Sequence, residues 1–249
     1  MAAQVPPEIV KSLAPTGTLR VAMNYGNGVL AQKDPATGEA RGVSAELARA
    51  LGKRLGVPIA FVPYDAAGKV TDALKSGAWD LAFLAIDPQR AREIDFTPPY
   101  VLIEGTYLVR AESPLRAAEE VDRPGVRIAV AKGAAYELYL TRTLKHATLV
   151  REPSGRDAFA LFLKEGLDAA AGVKQAVVAF VASQPGLRAL SGRFMGIEQA
   201  MCVPKGRGGA LAYLTSFIEE MKASGFVLDA LKQSGQGDAT VAPAARNCR

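Results

Sequence analysis

Residues that usually carry chemistry are scarce in this chain: one histidine, two cysteines and one tryptophan among 249 residues. A single histidine excludes a His-rich metal site, and two cysteines are too few for a zinc cluster or a disulfide scaffold. No apolar run approaches the roughly 18 to 20 residues of a membrane span, because charges interrupt every hydrophobic segment. Nor is there an evident carboxylate dyad or Ser-His-Asp set, and "GRGG" at 206–209 lacks the lysine and the strand-loop-helix context of a phosphate loop. A concentrated block of one charge is missing too. The formal charge is +5, but the basic residues are spread thinly and alternate with acids, so no nucleic-acid partner is expected and only a weak attraction for small anions remains.

The composition that is present, 49% hydrophobic and 22% charged, is that of an ordinary globular protein, long enough for one large domain or two small ones. The opening "MAAQVPPEIV" has no basic segment followed by an apolar one, so it does not read as a signal peptide. "AAQVPPE" is expected to be a mature start left after cleavage, with Met1 added. Cys202 and Cys248 either pair in an oxidising compartment, tying the tail to the body, or stay as two free thiols.

Strand and helix signals alternate. "TLRVAM" (18–23) reads as a buried strand followed by a polar, Gly-rich loop through Gly42. In "SAELARALGKRLG" the residues Leu47, Leu51 and Leu55 fall four apart, with Ser44 as N-cap and Gly56 as stop, which predicts an amphipathic helix. "IAFVPY" is a strand, "GKVTDALKSG" a helix and "DLAFLAI" a third strand. The pattern restarts at Val126 with "VRIAVAKG", "AYELYLTRTL", "ATLVRE", "GRDAFALFLKEG", "LDAAAGV" and "KQAVVAFVASQPG", strand and helix in turn. Strands separated by helices imply βαβ units and a mostly parallel sheet. Two such sets imply two lobes, expected at 1–107 and 108–198, with 199–249 returning to the first through one long final helix. "EGTYLVRAESP" and "GIEQAMCVPKG" would be the two hinge strands, with a ligand cleft between the lobes.

The runs "LRVAM", "GVSAELARALGKRLGV", "ALKSGAWDLAF", "PQRAREIDFTPPY", "YLVRAESP", "VRIAVAKGAAYELYL" and "GLDAAAG", in that order, resemble the bacterial periplasmic solute-binding proteins of amino-acid ABC transporters, family 3, over about residues 18 to 234. The most specific piece is Pro88-x-Arg90-x-x-x-Ile94-Asp95-Phe96-Thr97-x-Pro99-Tyr100, preceded by Gly77-x-x-Asp80. The resemblance implies an α/β, two-lobed type II binding fold in the periplasm. It also implies a membrane ABC permease as partner, a small-molecule ligand, no cofactor and no catalysis; a monomer is expected.

Asp87 is a sound N-cap and Pro88 suits a first helical position, so Arg90 would sit in the first turn against the positive end of a helix dipole, at a cost of up to about 1 kcal/mol. It should then have an anionic partner. The resemblance implies that this arginine grips a ligand carboxylate as a planar fork; the bland alternative is a surface pair with Glu93 or Glu46. Arg92, Asp95, Tyr100 and Trp79 read as structural.

The chain departs from the family elsewhere. The acid that would hold a ligand's ammonium falls at Val173, followed by Lys174. The family's hydroxyl positions fall near Ala85 and at Ala134 and Ala135, the acid of its "GFD" becomes Ser44, and the aromatic after "FVPY" becomes Ala67. The loop 24–32 lacks the family's aromatic platform, for which Tyr25 is the substitute. The expected pocket therefore takes an anion, a carboxylate on a less polar body, with no required ammonium. Its candidate residues are Arg90, the loop residues Asn24, Tyr25 and Asn27, Phe83 and Ala85, Ala135, and Lys174 as a second cation. The competing readings are an enzyme on the same scaffold, resembling cyclohexadienyl dehydratase, with Glu46, Asp65, Asp87 or Glu198 as its acid, and a sensor or accessory protein without a transport role.

Overall fold

The computed structural model describes residues 5–245. Along the chain these are α1 (Pro7–Leu13), β1 (Leu19–Asn24), β2 (Gln32–Lys33), β3 (Ala40–Arg41), α2 (Val43–Leu55), β4 (Ile59–Tyr64), α3 (Ala67–Ala73), β5 (Leu81–Ala85) and β6 (Ile94–Arg110). Then come β7 (Arg127–Ala131), α4 (Ala135–Thr143), β8 (Thr148–Glu152), α5 (Gly155–Glu165), β9 (Ala169–Val173), α6 (Lys174–Ser183) and β10 (Leu187–Ala189). The chain ends with β11 (Met195–Pro204), α7 (Gly208–Ala223), α8 (Phe226–Gln233) and β12 (Thr240–Val241). It divides into two compact units, the first made of Met1–Tyr64, Val70–Leu102 and Glu198–Arg249, the second of Asp65–Lys69 and Ile103–Ile197. The chain passes from one unit to the other at Leu102–Ile103 inside β6 and at Ile197–Glu198 inside β11, and the short stretch Asp65–Lys69 also falls in the second unit.

In the first unit β1 pairs in parallel with β4 and β5, and β11 pairs antiparallel with β5. All five residues of β5, "LAFLA", are buried, the signature of a strand covered on both faces. The helix α2 lays Leu47, Leu51 and Leu55 against β1 and β4, as their spacing of four predicts. Its left-handed stop is Gly56, as expected, but its N-cap is Gly42 and not Ser44. Gly42 has φ +100°, and a Cβ built on it would lie 2.6 Å from the Leu30 carbonyl oxygen, so the loop before α2 needs glycine for conformation and for space. Ser44 is pulled inside the helix because its own N–H donates to that same Leu30 carbonyl at 3.0 Å.

In the second unit the order is β6-β9-β7-β8, with β7 parallel to β8 and β9, β6 antiparallel to β9, and β10 on the far edge of β6. The period of two sends alternate residues to opposite faces. Tyr107, Ile128 and Val130 meet Tyr136 and Leu140 of α4 on one face, while Leu108 and Ala129 meet Phe159 and Phe162 of α5 and Val177 of α6 on the other.

Two expectations are corrected here. The final helix is broken: Gly225, at φ +82°, separates α7 from α8. The helix expected from Asp87 is a single 3-10 turn, Arg90–Arg92, because Ile94 already begins β6 and leaves no room for more. Among the described residues no helix is long and apolar enough to cross a membrane.

Candidate functional site

In open α/β sheets ligands bind beyond the carboxyl ends of the parallel strands. The first unit has such an edge where β1 ends at Asn24, β4 at Tyr64 and β5 at Ala85. Asn24 and Asn27 spend their side-chain oxygens on the loop itself: Asn24 Oδ1 accepts the Gly26 N–H at 3.1 Å and Asn27 Oδ1 the Val29 N–H at 3.3 Å. With Val29, Leu30 and Ala31 buried, this loop is pinned. Tyr25 donates its backbone N–H to the Tyr64 carbonyl at 2.8 Å, and the Lys33 ammonium lies 5.0 Å from its ring centroid. Burial raises the Tyr25 phenol pKa, while the charge of Arg49 pulls it back.

Arg90 is buried, 5% exposed, and its Nη1 donates to the Ala85 carbonyl at 2.9 Å. With only one 3-10 turn there is no sizeable helix dipole to oppose, so the unfavourable end effect expected for this cation has no helix to arise from. A carbonyl at the end of β5 orients the guanidinium. Of the two surface acids considered as partners, Glu46 already accepts Arg49 Nη1 at 2.7 Å. Phe83, 4% exposed, packs edge-on to Tyr100 with ring centroids 6.0 Å apart. Ser44, where the family has an acid, puts its Oγ 3.2 Å from the buried Tyr100 hydroxyl. Burial drives the Tyr100 phenol far above its ordinary pKa, with the Ser44 bond opposing. Phe83, Ser44 and Tyr100 are thus packed interior beneath the edge.

Cys202 on β11 is wholly buried, and its Sγ donates to the Ala82 carbonyl at 3.4 Å. Burial pushes its thiol up to about 12, with the nearby charge of Arg90 opposing. Its proposed disulfide partner, Cys248, lies outside the described residues. Cys202 is therefore expected to resist iodoacetamide in the native protein at pH 8 and to be alkylated only after unfolding. Peptide mapping reads this directly, and a carbamidomethylated Cys202 in the native digest would contradict it.

The second unit has its own edge, where β7 ends at Ala131 and β9 at Val173. Ala135 opens α4, whose N-cap Ala134 gives no side-chain bond. That helix start is served instead by Glu137, whose Oε2 accepts the Gly133 N–H at 3.0 Å while Oε1 takes Thr141 and Arg151. Lys174 opens α6, but it is not an isolated second cation. Its Nζ lies 2.9 Å from Glu104 Oε2, and Arg193 Nη1 lies 3.0 Å from Glu104 Oε1. The bond from Lys174, then its charge and those of Arg193, hold the Glu104 carboxyl below its ordinary pKa.

Glu104 and Arg193 were missed in the sequence because both fall in segments read only as extended or connecting. The one signal was register: Gly105 pairs with Val173 across β6 and β9, so residue 104 must lie beside the start of α6. Of the predicted site residues, the structure joins Arg90 to Ala85, groups Asn24, Tyr25 and Asn27 in one loop, packs Phe83 on Tyr100, and sets Ala135 and Lys174 at two different helix starts.

Of the four acids considered for catalysis, three are committed elsewhere, while Glu198 is exposed on β11. Glu46 serves Arg49, Asp87 Oδ1 accepts the Gln89 N–H at 2.8 Å, and the Asp65 carboxyl, bonded to Lys69, is held below its usual pKa.

Among proteins of curated function, none matches this chain. Among solved structures it is similar to a solute receptor for L-cysteine of Neisseria gonorrhoeae, with 22% identity, TM-score 0.78, and 90% of this chain and 92% of that one covered. It is also similar to the amino-acid ABC transporter substrate-binding protein AbpA of Streptococcus pneumoniae bound to L-arginine, with 20% identity, TM-score 0.77, and 91% and 98% covered. A third is the ancestral amino-acid-binding protein AncCDT-1, described as a precursor of cyclohexadienyl dehydratase, with 24% identity, TM-score 0.74, and 90% and 97% covered. At these identities the likeness is one of fold. The sequence itself matches the family model of bacterial extracellular solute-binding proteins, family 3, over residues 19–234. This protein, with its mixed α/β units and its arginine at the carboxyl end of β5, belongs to that family.

Proposed function

We propose that this chain is the periplasmic substrate-binding protein of an ABC importer and that it captures a small carboxylate without needing the ligand to carry an ammonium. The observation that carries the reading is Arg90, held by the Ala85 carbonyl at the carboxyl end of β5 within the motif Pro88-x-Arg90-x-x-x-Ile94-Asp95-Phe96. A planar guanidinium oriented in this way suits a carboxylate fork, which a lysine would not reproduce. Val173 in place of an acid, and alanines at 85, 134 and 135, support a ligand body less polar than that of an ordinary amino acid. Hinge closure as the mode of capture, a membrane permease as partner and a monomeric state complete the proposal.

The similarity to AncCDT-1 keeps an enzymatic reading in view. The commitment of Glu46, Asp65 and Asp87 to other groups favours binding, since a general acid must have its carboxyl available to the substrate.

A thermal-shift panel tests the proposal, using proteinogenic amino acids, keto and hydroxy acids, and aromatic and aliphatic carboxylates, with the wild type, Arg90→Lys and Arg90→Ala read against their own unliganded baselines. A ligand at about 100 times its Kd stabilises by about 2.7 kcal/mol, or ~5–10 °C for a chain of this size. Amine-free carboxylates are expected to give that shift in the wild type and to lose it in both variants. Stabilisation by amino acids alone would overturn the reading.

A further inference from the structure

The first helix, α1, is held on α7: Arg207 donates to the Ser12 carbonyl at 3.0 Å, and a Cβ built on Gly209 would lie 3.4 Å from Ile9 Cδ1. Another face of α1 is formed by Pro7, Val10, Lys11 and its C-cap Ala14, spaced i, i+3, i+4 and i+7. That face lines a groove of about 940 Å³, within the roughly 300–1,000 Å³ of small-molecule sites. From α2 the groove is lined by Ala50, Lys53 and Arg54, again at i, i+3 and i+4, and by Leu55. Every lining residue belongs to the first unit, so the groove lies wholly within it. Ala14 and Leu55 are buried, which gives the groove an apolar floor.

Its charged lining residues are all cations, and no acid lines it. The Arg54 guanidinium is spent on Glu220, at 2.6 and 2.8 Å, and lies 5.0 Å from the Phe217 ring centroid. The ammonium groups of Lys11 and Lys53 have no hydrogen bond or ion pair among the described residues. These two charges outweigh the roughly half charge at the negative end of the α2 dipole. A small inorganic anion would leave the apolar floor in contact with water, and a neutral apolar molecule would leave the cations without a partner. An alkyl chain with an anionic head uses both.

We propose that this groove is a second ligand site, which binds a single-chain alkyl carboxylate with its chain against Val10, Ala14, Ala50 and Leu55 and its head at Lys11 and Lys53. The site does not use Arg90 and stands independently of the function proposed above. Lysines act as point charges without a fixed fork, so the head contributes a modest, salt-sensitive share and the chain carries most of the affinity.

Dodecanoate, kept below its micelle concentration at low salt, is titrated into the full chain, with octanoate and decanoate as shorter homologues and dodecyltrimethylammonium as the cationic control. The methyl signals of Val10 and Leu55 are followed by NMR, and the affinity is read from the same titration. Each methylene added between octanoate and dodecanoate is expected to tighten binding by about two- to fourfold. A Lys11→Gln/Lys53→Gln variant is expected to bind dodecanoate about fivefold more weakly, the size of two exposed charge pairs. Arg90→Ala should leave the shifts at Val10 and Leu55 as they are in the wild type. Methyl signals that stay in place through the dodecanoate titration, or an affinity that does not rise with chain length, overturn the proposal. So does a lysine variant that binds as tightly as the wild type, or a cationic control that moves the same signals as far. Failure of the Arg90 reading is separable. It would appear as short carboxylates whose stabilisation survives Arg90→Ala, a measurement that does not involve the groove.

Discussion

Replacing Asp80 with asparagine is expected to lower the unfolding free energy by about 3 kcal/mol, the low end of the range for breaking a buried ion pair from one side. Asp80 has no exposure. Its Oδ2 accepts Arg20 Nε at 2.8 Å and the Arg20 backbone N–H at 3.2 Å, and its Oδ1 accepts Arg20 Nη2 at 2.9 Å. Arg207 approaches from the other side at 3.5 Å and donates to the Ser12 carbonyl at 3.0 Å. One carboxylate therefore joins β1, the entry to β5, the start of α7 and the end of α1. Asparagine keeps the volume but turns an acceptor into a donor aimed at a guanidinium. The low end applies because Arg20 and Arg207 are 30% and 24% exposed and regain water when the anion is lost. Urea unfolding reads the change as a fall in midpoint at constant slope. A loss under about 1 kcal/mol would mean that the pair behaves as a surface contact.

The second large effect falls on Gly42. An alanine there would hold φ +100°, a region close to glycine-only, and its Cβ would meet the Leu30 carbonyl oxygen at 2.6 Å, the Leu30 carbonyl carbon at 3.1 Å and Ala31 Cα at 3.3 Å. All three are backbone atoms, so no side-chain rotation relieves the contact. Positive-φ strain of this kind costs about 1–3 kcal/mol, and displacement of the loop adds to it, so about 3 kcal/mol is expected in total. Gly28→Ala is the control. It lies in the loop between β1 and β2 that carries Leu30, with open space around its Cβ, and its change should stay within about 0.5 kcal/mol. Because the Leu30 segment continues from Asn24, Tyr25 and Asn27, Gly42→Ala should also weaken any ligand response that depends on Tyr25. Equal stability of the two variants would show that the loop moves aside freely.

Elements with a clean period were legible in the sequence. "IAFVPY" is β4 to the residue, and the leucines four apart in α2 are buried as their spacing requires. What escaped was decided by space and by distant partners. Ser44 has the chemistry of an N-cap, yet the Leu30 carbonyl takes its N–H, and Gly42, which cannot cap through a side chain, holds the position because only glycine fits. Asp87-Pro88 reads as a helix start, but the six-residue interval before Ile94 admits only one 3-10 turn. At the candidate site the position of Arg90 at a strand's carboxyl end was legible from the motif. The pairing of Lys174 was not. Glu104 and Arg193 lie 70 and 89 positions apart from their partners, and nothing local in sequence marks a contact of that range.

The first unit is discontinuous, and this has a consequence for how the protein is made. Its strand β11, which pairs with β5, and β12, which pairs with β6, both come from the last part of the chain. On a ribosome releasing the N-terminus first, every strand of the second unit's sheet, from β6 to β10, emerges before β11 does. Through that interval β5, apolar over its whole length, has one edge without its native neighbour, and an open strand edge is a template for another chain. The unit that begins the sequence is the last to be finished, so the edge of β5 stays open until most of the chain has been made.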